Sequence, residues 1–227
     1  MTAKQRIAIL ISGRGSNMMS LVGAAGTSDF PAEVVAVIAN RPDAAGIAWA
    51  AARGIPTRVV DHKAYPNRDA FEAELHSTIA GTGATLVCLA GFMRVLTSGF
   101  VAKWQGRMIN IHPSLLPSFK GLHTHEQALE AGVRIAGCSV HFVVPEMDAG
   151  PIIAQAAVPV EYGDTPDTLA QRVLSAEHQI YPQALRLVAS GAVRIENGRA
   201  VAHLPALEHG EINHAQAVFS PPLPRLR

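Results

Sequence analysis

Two kinds of apolar segment alternate through the first part of the chain. RIAILIS (residues 6–12), EVVAVIAN (33–40), PTRVVD (56–61) and TLVCLAG (85–91) are short, nearly continuous apolar runs rich in β-branched residues. Strands that read this way are covered on both faces, as in a parallel sheet. Between them lie NMMSLVGAA (17–25), AAGIAWAAARG (44–54) and RDAFEAELHSTIAG (68–81), which read as helices. The last is amphipathic, and Gly54 stands where a C-terminal cap is expected. The alternation predicts an α/β fold: a Rossmann-like, mostly parallel twisted sheet with helices on both faces.

The pattern changes after residue 107. MINIHP (108–113) is a strand that enters a proline-rich loop, and HEQALEAG (125–132) is a short helix. CSVHFVV (138–144) and PIIAQAAVPV (151–160) are strands separated by PEMDAG, which suits an antiparallel pair or a long loop. A long helix follows over 165–191, with Thr165 as N-cap and Pro182 as a kink or break. Asn197-Gly198 between strand-like pieces signals a hairpin. Residues 1–202 are read as one domain, and 203–227, proline-rich and basic at the end, as a loosely attached tail.

Composition narrows the function. The chain has 227 residues, 48% of them hydrophobic, enough for a real core. A formal charge of +1 gives no general pull toward nucleic acid or acidic membranes, so an anionic ligand must be held by local geometry. Cys88 and Cys138 both lie in apolar runs and read as buried free thiols. The first apolar run, 7–11, is too short for a signal sequence, and nothing approaches transmembrane length. A cytoplasmic protein is expected.

Four groups of residues carry candidate chemistry. SGRGSN (12–17) places glycines between a strand and a helix, where backbone N–H groups converge on an anion. It lacks the third Gly or Ala of a dinucleotide fingerprint, Asn40 stands where an acidic residue would close the second strand, and no Walker-type Gly-Lys follows. Phosphate binding and a bare tight turn both remain open. Asn110 and His112 alternate along a strand and so share one face, at the C-terminal edge of the sheet, where open α/β folds keep their ligands. An amide and a protonated imidazole are two donors for a developing oxyanion. Asp148, in a tight Gly-Pro loop, would orient and charge-balance His112 if the two meet. His123, His125 and His141 lack the spacing of a metal site and suit substrate or supporting roles, so no metal is expected.

The ordered motifs GRGSN, AGFMRVL, NIHPSLLP, GLHTH, SVHFV, MDAGP and EHQIYP, spread over residues 6–200, resemble the phosphoribosylglycinamide formyltransferases of the folate-dependent formyltransferase superfamily. GLHTH separates this branch from the methionyl-tRNA and sugar-nucleotide formyltransferases, and the first strand at Arg6 from the deformylases, which carry an N-terminal regulatory domain. The resemblance implies formyl transfer from 10-formyltetrahydrofolate, as co-substrate, to the amine of glycinamide ribonucleotide in purine synthesis. It implies Asn110, His112 and Asp148 as the catalytic set. Gly15, Ser16, Asn17 and Glu177 would bind the ribonucleotide. Arg68, Met93, Arg94, Val95, Leu96, Val144 and Asp148 would bind the folate. Small-molecule partners only are implied, with a monomer or homodimer. Arg14 and Lys120 depart from residues common in the family, Asn and Pro.

Overall fold

The computed structural model describes residues 3–203. The expected tail falls outside them, apart from His203.

Among the described residues, nine strands and six α-helices follow in chain order: β1 (Gln5–Ile11), α1 (Ser16–Ala25), β2 (Ala32–Ala39), α2 (Ala45–Ala51), β3 (Thr57–Val59), α3 (Arg68–Gly81), β4 (Leu86–Leu89), α4 (Ser98–Lys103), β5 (Met108–His112), α5 (Thr124–Glu130), β6 (Ile135–Phe142), β7 (Ile152–Pro159), α6 (Pro166–Ala189), β8 (Val193–Glu196) and β9 (Arg199–Ala202). Seven strands form one sheet in the order β3-β2-β1-β4-β5-β6-β7. β1 to β5 run parallel, and β6 and β7 are antiparallel to their neighbours. Strand order reverses between β1 and β4, so the crevice beyond their C-terminal ends is open to a ligand.

β1 from Ile7 onward, the second half of β2 and all of β4 are buried on both sides, as their composition requires, while the edge strand β3 is largely exposed. Ile7, Ile9 and Ile11 face one cluster with Met18 and Leu21 of α1 and Leu169, Val173 and Tyr181 of α6. Ala8 and Leu10 face the other, with Phe71, Leu75 and Ile79 of α3 and Phe100 and Val101 of α4. Fully burying one such side chain contributes about 1.5–3 kcal/mol. The second cluster takes its last buried sheet residue from Met108 at the start of β5. Beyond it, the β5–β6 part of that face is left to loops, and there Asn110 and His112 stand.

Local signals explain most element ends. Gly54 (φ 72) closes α2, with Ile55 N–H bonded to Ala50 O and Gly54 N–H to Ala51 O, the paired bonds of a Schellman motif. Thr165 caps α6 in a reciprocal box with Thr168. Asn197 (φ 49) and Gly198 (φ 75) form the two-residue turn between β8 and β9, and positive φ at both fits a type I′ hairpin. Cys88 and Cys138 are buried and free. Burial pushes both thiols up to about 12.

Two expectations need correction, and one helix is unforeseen. α6 runs through Pro182 without a break. Proline removes one helical bond, and the packed face of a 24-residue helix outweighs that local loss. The third strand shrinks to three residues. α4, in SGFVAK, carries too short an apolar pattern to be read as a helix, and its cap comes from Thr97.

Candidate active site

The turn after β1 builds the first half of the site from backbone. Gly15 (φ 72) precedes α1, a conformation that disfavours any residue with a Cβ, and a Cβ there would also meet Met18 at 2.9 Å. The N-terminus of α2 closes against the same turn through Gly46, whose N–H bonds Gly13 O at 3.1 Å. A Cβ on Gly46 would lie 2.6 Å from Ile11 and 3.0 Å from Arg14 O. Between this turn and residues 90–94 opens a cavity of about 400 Å³, lined by Gly13, Arg14, Gly15, Asn17 and Arg94 among others. Ser12 ties its walls together: its hydroxyl donates to Asn40 Oδ1 at 2.6 Å and accepts from Met93 N–H at 2.7 Å.

Glu177 on α6 reaches the same turn. Asn17 Nδ2 donates to Glu177 Oε2 at 2.7 Å, and both residues are buried. Burial raises the Glu177 carboxyl above its usual range, partly offset by the Asn17 bond. Asn17 Oδ1 is buried without a hydrogen-bond partner.

The second half is built from side chains. Asn110 pairs with His141 across β5–β6, and His112 with Ser139, so all four share one face. Asn110 Nδ2 donates to His141 Nε2 at 3.3 Å, while His141 Nδ1 donates to Phe142 O at 2.9 Å. That pair of bonds requires a neutral His141 with its proton on Nδ1. Burial lowers its pKa accordingly, against the raising effects of the Phe142 carbonyl and Asp148. One amide hydrogen of Asn110 is thereby fixed and the other remains to donate.

His112 lies between two acceptors. Nε2 donates to Phe119 O at 3.0 Å, and Nδ1 is 3.4 Å from Asp148 Oδ2. Asp148 is held in turn by Gly121 N–H at 2.9 Å, and its backbone sits in the left-handed region (φ 50). Gly150 permits this loop to double back, since a Cβ there would lie 1.7 Å from Phe142 O. The loop after His112 is stapled from below: Ser139 Oγ donates to Ser114 O at 2.7 Å and accepts from Leu116 N–H at 2.9 Å.

The structure therefore brings Asn110, His112 and Asp148 together, and Gly15, Asn17 and Glu177 together, with Ser16 opening α1 beside them. Met93 and Arg94 line the cavity edge; Met93 and Val95 are exposed, and Leu96 packs against the α3–α4 cluster. Val144 is half-buried in the Asp148 loop. Arg68 is exposed at the start of α3. Of the three remaining histidines only His141 joins the centre; His123 is exposed and pairs with Glu126, and burial lowers the half-buried His125. No group of three or more His, Cys, Asp or Glu among the described residues is arranged to hold a metal ion. Sequence reasoning missed Ser12 and the orienting bond from His141. The alternation of SVHF against NIH held the second, but only once the strand register was known.

A fold with this crevice and this donor set defines a class, and the class has a name: the chain belongs to the formyl transferase family, whose model matches residues 5–185. Within it, the chain falls among the phosphoribosylglycinamide formyltransferases. That of Escherichia coli (strain K12) is 44% identical over 194 residues, 86% of this chain and 92% of its own length. The crystal structure of glycinamide ribonucleotide transformylase 1 from Symbiobacterium toebii superposes with a TM-score of 0.86 at 45% identity, covering 89% of this chain and 95% of that one. The trifunctional purine biosynthetic protein adenosine-3 of Bos taurus is 55% identical over 197 residues; the chain spans 20% of its length.

Proposed function

We propose that the protein transfers the formyl group of 10-formyltetrahydrofolate to the amine of glycinamide ribonucleotide, within de novo purine (IMP) synthesis, as a cytoplasmic enzyme. The supporting observation is the amide hydrogen of Asn110 left over from its His141 bond, beside His112, whose Nε2 donates to Phe119 O and whose Nδ1 faces Asp148, on the sheet edge that also carries the backbone-lined cavity. The phosphate meets the Gly15–Asn17 turn at the positive end of α1. Asn17 Oδ1 and Glu177 accept from the sugar hydroxyls. The pterin lies against the apolar residues of the Met93–Leu96 and Val144–Asp148 segments, and Arg68 meets the acidic tail of the folate.

In the reaction, the substrate amine attacks the formyl carbon and forms a C–N bond. The carbonyl electrons move to oxygen, and Asn110 donates to that oxyanion. His112 adds a second donor by exchanging its Phe119 partner for the oxyanion. Asp148 supports the charge on His112 and, through water, passes the proton of the attacking amine to N10 of the folate. The bond from the formyl carbon to N10 breaks, leaving tetrahydrofolate and the formylated amide.

The test mixes purified protein with 10-formyltetrahydrofolate and follows tetrahydrofolate release with and without glycinamide ribonucleotide. Release that depends on the ribonucleotide is the expected result. Release in its absence makes the protein a deformylase and overturns the proposal.

A further inference from the structure

α3 buries a carboxylate that the chemistry above does not use. Glu72 is 4% exposed, and no ion pair to it exists among the described residues. An unpaired buried carboxylate is costly unless donors surround it. Glu72 finds its donors on a single residue. Oε1 accepts from Thr97 N–H at 2.8 Å, and Oε2 accepts from the Thr97 hydroxyl in a short bond. The Thr97 hydroxyl accepts in turn from Phe100 N–H at 3.2 Å and caps α4.

Thr97 closes the segment that begins at Met93. The other end of that segment is fixed by the Met93 N–H bond to Ser12. Between the two anchors Met93 and Val95 are 71% and 62% exposed, while Leu96 is folded inward. Exposed apolar residues on a segment clamped at both ends are a preorganised surface: the ordering cost is met before anything binds.

We propose that Glu72 is a positioning residue for the formyl donor: through Thr97 it sets the Met93–Leu96 segment at the height and tilt that the flat ring of the folate requires. This rests on the reading of that segment as folate-binding. Glu72 touches no substrate and acts only through the clamp. Loss of the clamp therefore weakens the donor more than the ribonucleotide, whose anchors in the Gly15–Asn17 turn and Glu177 do not pass through Thr97.

Steady-state kinetics with both substrates varied test this in wild type, Glu72→Gln, Thr97→Val, Thr97→Ser and the double variant Glu72→Gln/Thr97→Val. Glu72→Gln and Thr97→Val should each raise KM for 10-formyltetrahydrofolate about ten-fold, with KM for the ribonucleotide within two-fold. Thr97→Ser keeps the hydroxyl and should stay near wild type. The double variant should be little worse than either single one, because both remove the same tie. Unchanged donor KM in Glu72→Gln with a lowered melting temperature makes the residue merely structural and overturns the proposal. So does an equal rise in both KM values. Should Glu72→Gln fail to fold, the Thr97→Val and Thr97→Ser pair decides alone. A wild type that transfers formyl with a donor KM unaffected by Met93→Ala refutes the assignment of the segment itself, a failure distinct from that of the clamp.

Discussion

On the proposed function, the two halves of the site do different work with different materials. The turn after β1 is made of backbone: Gly15, Gly13 and the close-packed Gly46 shape it, and its side chains add a carboxylate and an amide bonded to each other. The centre on β5 and β6 is made of side chains, each of whose orientation is set by a further partner: Asn110 by His141, His141 by Phe142 O, His112 by Phe119 O and Asp148, Asp148 by Gly121 N–H. A backbone cradle binds an anion equally before and after reaction. Oriented donors favour the state in which charge develops. The half that binds should therefore show itself in KM, and the half that reacts in kcat.

The largest expected effect lies on the reacting half. His112→Ala should lower kcat by about 10²–10³, the usual loss for one oxyanion donor. KM for either substrate should hold within a few-fold, as measured by initial rates. Gly150→Ala comes next: relieving a 1.7 Å clash with Phe142 O must move the loop that carries Asp148. It should destabilise the protein by about 1–3 kcal/mol, read from the denaturant midpoint, and lower kcat with it. On the binding half, Gly15→Ala forces a Cβ into a left-handed position. It should cost about 1 kcal/mol of stability and raise KM for the ribonucleotide about ten-fold, at an interaction cost near 1.4 kcal/mol, while kcat at saturation stays within two-fold.

The two halves also part in their pH dependence. Burial lowers the pKa of His141, so the unfolded chain binds a proton more readily than the folded one. Stability from this group is complete above the unfolded value, about 6.5, and is lost as pH falls from there toward the lowered folded value. Glu177 has the opposite sign. Its raised folded pKa contributes stability below the unfolded value, about 4.3, and that stability is lost as pH rises through the folded one. His141→Gln should thus flatten the acid side of the unfolding profile just below pH 6.5. Glu177→Gln should make the protein more stable near neutrality while it weakens the ribonucleotide. Melting temperatures collected from pH 4 to pH 8 read both; these are the smallest effects.

How much of this the chain announces depends on how local each cause is. The inner strands β1, β2 and β4 are legible because burial on both faces leaves no alternation to interpret, while the exposed edge strand β3 is shorter than its apolar run. Asn197-Gly198 and Gly54 are legible because a turn or a cap is decided by a few neighbouring residues. Asn110 and His112 show themselves by strand alternation, and the family motifs point to Asp148 before any distance is known. Pro182 misleads because local chemistry loses to the packing of α6. Glu72 is hidden for a similar reason. On an amphipathic helix a glutamate is read as facing water, and its burial is caused by Thr97, 25 positions along the chain. His141 belongs to the centre only through the antiparallel register of β6 on β5, which no single strand reveals.

The most direct test of the division between binding and reacting is single-turnover formyl transfer in Asn110→Ala and Gly15→Ala, with both substrates saturating. Asn110→Ala should run about 10²–10³ below wild type, and Gly15→Ala within two-fold of wild type. A Gly15→Ala enzyme as slow as Asn110→Ala at saturation, or an Asn110→Ala enzyme that turns over normally once its sites are filled, would contradict that division.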